Sequence, residues 1–278
     1  MIIVTGADGQ LGTVLRSELG GRATYLTRED LDLTDLPAIA PTIRSLSPDV
    51  LINCAAFTNV DGAESDEETA NTVNGYAVGE MAAVCRAIGG RFVTFSTDYV
   101  FDGEKGSPYV ESDEPNPINA YGRSKLLGEQ LGVEAHPETL LVRTSWLFSG
   151  THPSFVRTML SLLSKGDASV VDDQLGQPTS VDDLALAVLE ALDLGVTGLL
   201  HLTNDGIATW YELAREVATI AGLDPERVQP CATHDYPTPA ARPKNSVLES
   251  DRVVSLGLTP MPNYRRSLVR SVQSIGQL

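Results

Sequence analysis

Three glycines stand directly behind an opening β-branched run: Ile2-Ile3-Val4-Thr5 leads into Gly6, Gly9 and Gly12, with Gln10 and Leu11 between the last two. Leu11, Val14, Leu15 and Leu19 then repeat with helical period until Gly20-Gly21 stops them, so the chain opens as strand, glycine turn and helix. Such a unit confines the fold to the α/β class. Its glycines let backbone amides close on a diphosphate, and the helix N-terminus adds partial positive charge. The spacing is G-x-x-G-x-x-G rather than the G-x-G-x-x-G of the common dinucleotide turn. Position after the first strand therefore carries as much of the reading as the glycines themselves.

The same rhythm continues downstream. Apolar runs over residues 23–26, 50–56, 92–96 and 139–146 read as strands, with helical patterns at 36–46, 61–90 and around Tyr121 between them. Five or six strands alternating with helices predict a doubly wound parallel sheet of the Rossmann type, with sites at strand C-terminal ends. After Trp146 come helical stretches at 155–163, 180–194, 209–221 and 264–275 and a short strand at 169–171. Ser180-x-x-Asp183 and Thr209-x-x-Glu212 read as capping boxes. The expected organisation is a dinucleotide-binding domain over residues 1–150, with returning elements from about 166–200. A smaller C-terminal substrate-binding lobe, formed by 151–165 and about 201–278, interleaves with it.

A net charge of −17 excludes nucleic acid and anionic membrane surfaces as partners, since both need clustered basic residues. Any anionic ligand must be held by local positive charge. Cys54, Cys85 and Cys231 are scattered and lack C-x-x-C spacing, and the four histidines form no ligand motif, so no metal is expected. No apolar run reaches the ~20 residues of a membrane span. Met1 runs straight into the first strand without a basic leader, which makes a cytoplasmic protein the expectation.

Tyr121 and Lys125 are four residues apart, so on a helix the phenol and ammonium share one face. A cation beside a phenol favours the phenolate; moving a tyrosine from ~10 toward ~7 takes roughly 4 kcal/mol. Thr97 ends the apolar run that precedes them. Thr27-Arg28 follows the second strand, where an acid would bind the ribose 2′-hydroxyl of NAD. Arg28 is either a partner for the 2′-phosphate of NADP or an ordinary solvated loop arginine. Asn74, polar within an apolar helical stretch, is either a structural bond maker or part of a proton relay.

With these residues in hand, the chain resembles the extended short-chain dehydrogenase/reductases and, among them, the dTDP-4-dehydrorhamnose reductase family. The motifs are Gly6 to Gly12, Thr58-x-Val60-Asp61-x-Ala63-Glu64, the stretch 96–102, Tyr121-x-x-x-Lys125 and Arg143-Thr144-Ser145-Trp146. Asp173-Gln174-x-Gly176-x-Pro178-Thr179 and the proline-rich stretch 236–246 complete them. The resemblance implies NADPH as cofactor, with NADH possible, a small dTDP-sugar substrate, and Thr97, Tyr121 and Lys125 as the catalytic trio. It also implies cofactor contacts at Gly9, Gln10, Leu11, Asp32, Leu33, Ala55, Ala56 and Phe57, and sugar contacts at Thr97, Asp98, Tyr99 and Trp146. Trp146 equally suits a core position. Arg242, the basic residue of the proline-rich motif, is expected either to meet the substrate diphosphate or to brace its own turn. A metal carboxylate associated with some members would fall where Val14 stands, which again predicts no metal. Monomer and homodimer are both compatible with the chain.

Two other readings stay open. A nucleotide-sugar dehydratase needs an Asp-Glu pair after the threonine, whereas Asp98 is followed by Tyr99. A non-catalytic subunit related to the regulator of methionine adenosyltransferase would have no need of Thr97, Tyr121, Lys125 and Trp146 together.

Overall fold

The computed structural model describes residues 1–276. Its central sheet has six strands: β1 (Ile2–Thr5), β2 (Ala23–Leu26), β3 (Val50–Asn53), β4 (Arg91–Thr97), β5 (Leu140–Thr144) and β6 (Gly198–His201). All pair in parallel in the order β6-β5-β4-β3-β1-β2. Buried on both faces, these strands read as near-continuous apolar runs. The chain leaves β1 toward β2 on one side and crosses to β3 on the other, so loops at the C-terminal ends of β1 and β3 part and leave a crevice.

Helices cover the sheet. Leu11, Leu15 and Leu19 of α1 (Gln10–Leu19) share a core with Leu184 and Val188 of α8 (Val181–Asp193) on one face. On the other, Ile39 and Ile43 of α2 (Leu36–Leu46) pack with Met81 and Cys85 of α5 (Ala77–Ile88). A second core joins α7 (Phe155–Leu163), α9 (Trp210–Ile220) and α10 (Tyr264–Gly276) through Met159, Val217 and Leu268. Within residues 166–200, the strand Ala168–Val171 pairs with Val228–Cys231 in this second core, while α8 packs on the main sheet.

Several local expectations change. The helical pattern at 61–90 is broken into α3 (Val60–Ser65), α4 (Glu67–Asn71), a π-turn at Thr72–Tyr76 and then α5. Asp66 restarts the helix by accepting from the Thr69 amide. The Thr209 capping box forms, but Ser180 makes no side-chain cap. Asp183, its supposed partner, instead accepts from Asn204 and Ser267 and pairs with Arg270, tying α8 to α10. β5 ends at Thr144, because Trp146 turns to a φ of 46° and Leu147–Phe148 pairs separately with Thr179–Ser180.

Asn74 explains the π-turn. Its amide accepts from Phe57 N at 2.8 Å and donates to Phe57 O at 3.0 Å and Ser124 Oγ at 2.9 Å, so it is the structural bond maker of the two readings. Ser124 lies in α6 (Ala120–Ala135), the helix carrying Tyr121 and Lys125. A Cβ on Gly128 of α6 would meet Asn74 O at 2.0 Å; alanine there would force the two elements apart, an overpacking cost of about 1–3 kcal/mol.

Candidate active site

At the switch point, Gly6 adopts a φ of +63°, and a Cβ on it would stand 2.5 Å from Ala55 N. Only glycine brings the first loop this close to the loop after β3. Gly12 serves the same cradle from inside α1, since a Cβ there would meet Gly6 O at 2.3 Å. Beneath them Thr5 Oγ1 donates to Asn53 Oδ1 at 2.7 Å, and the same oxygen accepts from Ala55 N at 3.1 Å, fixing the floor.

These loops open on a cavity of about 640 Å³. Gly6, Gly9, Gln10, Leu11, Arg28, Asp32, Leu33, Ala55, Ala56, Phe57, Tyr121 and Lys125 all line it, so the residues expected at the cofactor converge, Gly12 alone standing just behind the wall. Gln10 Oε1, Ser96 Oγ and Thr144 Oγ1 are buried without hydrogen-bond partners, and all three residues line the same cavity. A glycine cradle with unpaired polar atoms in its walls fits a dinucleotide, whose ribose and amide groups would supply the missing partners.

At the adenosine end, Arg28 is largely exposed and pairs with Asp32 at 3.3 Å. The Thr34 amide and hydroxyl hold the Asp32 carboxyl below its usual range. At the other end, α6 is placed by its first turn. Asn119 caps it by accepting from Gly122 N at 2.7 Å and donates to Ala241 O at 2.8 Å, while Glu64 accepts from Ala120 N at 2.8 Å.

Tyr121 and Lys125 share the inner face of that helix, as their spacing predicts. Their titration differs from expectation. Burial first, then the Asp98 charge, pushes the Tyr121 phenol up to about 12, with the Thr97 hydroxyl pulling the other way. The protein's own groups therefore keep this phenol protonated at neutral pH. Burial lowers Lys125 to about 8, opposed by Glu129 one turn on. Glu129 is itself held by Arg143 in a buried pair at 2.6 Å and 2.8 Å, a contact the sequence pattern gave no sign of.

Thr97 ends β4, and Asp98 opens the 3₁₀ turn that follows it. Thr97 Oγ1 donates to Asp98 Oδ1 at 2.9 Å, and Asp98 Oδ2 is buried without a partner. Burial raises the Asp98 carboxyl to about 6, with Ser246 and Thr97 opposing. Tyr99 crosses Tyr121 edge-on, with centroids 6.0 Å apart.

Thr97, Asp98 and Tyr99 are not part of the cavity lining, and neither are the remaining candidates, Trp146 and Arg242. Trp146 stacks on Trp210 with centroids 3.5 Å apart and planes 5° from parallel, so one of its faces is taken by the second core. Its positive φ, strained for a bulky residue, is held by Thr179 N donating to Trp146 O. Arg242 reaches Asp61 and Ala240 O rather than the cavity. Among the described residues no group of three or more His, Cys, Asp or Glu gathers as a metal site, and no helix is long and apolar enough to cross a membrane.

A family model described as the RmlD substrate binding domain matches residues 1–276. The chain belongs to this family. A dTDP-4-dehydrorhamnose reductase of Mycolicibacterium smegmatis is 41% identical to it, over 99% of this chain and 85% of the relative. A solved dTDP-4-dehydrorhamnose reductase of Clostridium acetobutylicum superposes with a TM-score of 0.95 at 37% identity, covering 100% of this chain and 99% of that one. Another, from Bacillus anthracis in complex with NADP, gives a TM-score of 0.92 at 34% identity over 97% of both chains. The RmlD match thus runs through both lobes and every motif that carried the resemblance.

Proposed function

We propose that this chain is an NADPH-dependent dTDP-4-dehydrorhamnose reductase, converting the C4 ketone of dTDP-4-dehydro-6-deoxy-L-mannose to the alcohol of dTDP-L-rhamnose, the last step of making that nucleotide sugar. The observation that carries the proposal is the convergence of Tyr121 and Lys125 with the glycine loop on one cavity. The reductase relatives and the NADP held by the Bacillus anthracis protein support substrate and cofactor. Three unpaired cysteines suit a reducing compartment and support a cytoplasmic enzyme.

When bound, the reduced nicotinamide supplies the hydride for C4. Tyr121, protonated at neutral pH, donates its proton to the ketone oxygen as that oxygen gains charge. The Thr97 hydroxyl, whose single proton goes to Asp98 in this structure, turns that proton to the same oxygen and stabilises it. Lys125, largely charged at pH 7 with a pKa near 8, stabilises the phenolate left on Tyr121 until it is reprotonated. Thr97 and Tyr121 accordingly hold the reacting oxygen, while the glycine loop and Lys125 hold the cofactor. Elimination chemistry has no second acid here, since Tyr99 follows Asp98.

The test follows NADPH absorbance with dTDP-4-dehydro-6-deoxy-L-mannose and a few neighbouring dTDP-keto-sugars. Oxidation with this ketone ahead of the others supports the assignment; NADPH binding without turnover on any of them would leave the non-catalytic subunit in its place.

A further inference from the structure

Resting on that reading of the cavity, we infer that His152 is a binding residue for the cofactor diphosphate, reaching over the glycine loop from the second lobe. His152 lies in the loop 149–154 and lines the cavity with Pro153. Its Nε2 stands 3.2 Å from Asp8 O and 3.3 Å from Thr13 Oγ1, on the turn that opens α1, and its Nδ1 stands 3.0 Å from Thr151 Oγ1. Asp8 O only accepts, so Nε2 carries the proton there and Nδ1 accepts from Thr151. A single N–H donor is thereby aimed at the mouth of the glycine cradle.

The placement of donors in the lining argues for the same role. Among the residues lining the cavity the basic ones are Arg28, Lys125 and His152, against Asp8 and Asp32. Arg28 sits at the adenosine end and Lys125 at the nicotinamide end. His152 alone stands by the helix N-terminus, where a diphosphate places its charge. A chain carrying −17 gives a dianion no general attraction, so a local donor there counts.

The loop is fixed before any ligand arrives. Ser149 Oγ accepts from Thr151 N at 3.0 Å, Arg157 donates to Gly150 O at 3.0 Å, and Gly150 packs against Ser271 of α10. Pro153 disfavours helical backbone at His152. Binding then requires little reordering: the N–H exchanges Asp8 O for a phosphate oxygen, which gives a charge-assisted hydrogen bond.

The experiment measures dissociation constants by fluorescence titration for the unaltered chain, His152→Ala and His152→Gln. Three probes are used: NADPH, ADP-ribose, which keeps the diphosphate, and 2′-AMP, which lacks it. His152→Ala is expected to weaken NADPH and ADP-ribose at least fivefold, to leave 2′-AMP within twofold, and to be largely rescued by Gln, whose amide N–H reaches as far. Equal binding of NADPH by the Ala variant, or equal weakening of all three probes, overturns the inference. Failure of the unaltered chain to bind NADPH at all would overturn the cofactor reading instead.

Discussion

Arg242 grips Asp61 with both ends of its guanidinium, Nη1 to Oδ1 at 2.6 Å and Nη2 to Oδ2 at 3.0 Å, across 181 residues of sequence. Asp61 lies in the first turn of α3 and Arg242 in the proline-rich stretch, so the pair ties together two segments far apart in sequence. Ala240 N and O add to it from either side. A diphosphate would have to displace a bidentate carboxylate from it. As a brace, Arg242 should be matched by its partner: Arg242→Ala and Asp61→Asn should each cost about 1–2 kcal/mol, given partial exposure, and lower the thermal midpoint by several degrees. Should only the Arg242 variant raise the KM for the dTDP-sugar tenfold, with the midpoint unmoved, the diphosphate role stands and the brace does not.

Arg28 is in the opposite situation. Its pair with Asp32 is long and solvated, worth ~1 kcal/mol at most, so a 2′-phosphate can draw the guanidinium away and gain a two-pronged contact. Arg28→Ala should raise the NADPH KM about tenfold, near 1.4 kcal/mol, and leave NADH within twofold. Equal losses with both cofactors would remove the 2′-phosphate role.

Asp98 is a buried charge kept at a cost to stability. Its folded pKa of about 6 lies above the ordinary carboxyl value, so the native state binds more protons than the unfolded chain between those two values. Stability from this group therefore falls as pH rises through that window, and the cost is complete above about 6. Asp98→Asn should stabilise the fold at pH 8 by about 1–3 kcal/mol, raising the thermal midpoint, and the gain should vanish near pH 4. An Asn variant no more stable than the parent at pH 8 would show that Thr97 and Ser246 already offset the burial.

What was legible in the sequence was what lies close along the chain. The glycine cradle occupies seven residues, and the Tyr121 and Lys125 pair occupies one turn of α6, so spacing alone places them. Long-range pairs left no local trace: Asp61 with Arg242, Glu129 with Arg143, and Asn74 with the Phe57 backbone. β6 follows a glycine and a short apolar run, and it becomes the edge of the main sheet only through its register with β5. The upward shift of the Tyr121 phenol without cofactor has the same long-range origin. Burial and the Asp98 carboxylate raise it, and neither is visible in a spacing.

Lys125 gives the pH dependence its sign. Burial brings its pKa down to about 8, so the ammonium that stabilises the phenolate is lost as pH rises through that value. kcat/KM should fall on the alkaline side with a midpoint near 8. Lys125→Arg, which keeps its charge to far higher pH, should be slower throughout but lack that limb. A profile flat to pH 9.5 would show that Lys125 does not titrate where its surroundings place it.

In the proposed mechanism Tyr121 is the proton donor, and phenylalanine is the substitution that isolates the role. Ring and packing survive it, including the edge-on contact with Tyr99, so the variant should fold and bind NADPH as the parent does. Only the transferable proton is removed. Loss of a general acid costs ~10²–10⁴ in rate, or about 3–5 kcal/mol of transition-state stabilisation, and the loss should fall on kcat far more than on KM. Because the phenol is raised to about 12, the parent should hold its donor across the whole neutral range, with no alkaline limb from Tyr121 near neutral pH. If Tyr121→Phe slows a chemistry-limited single turnover by less than about threefold while still binding cofactor, the proton comes from elsewhere and Thr97 or water must carry it.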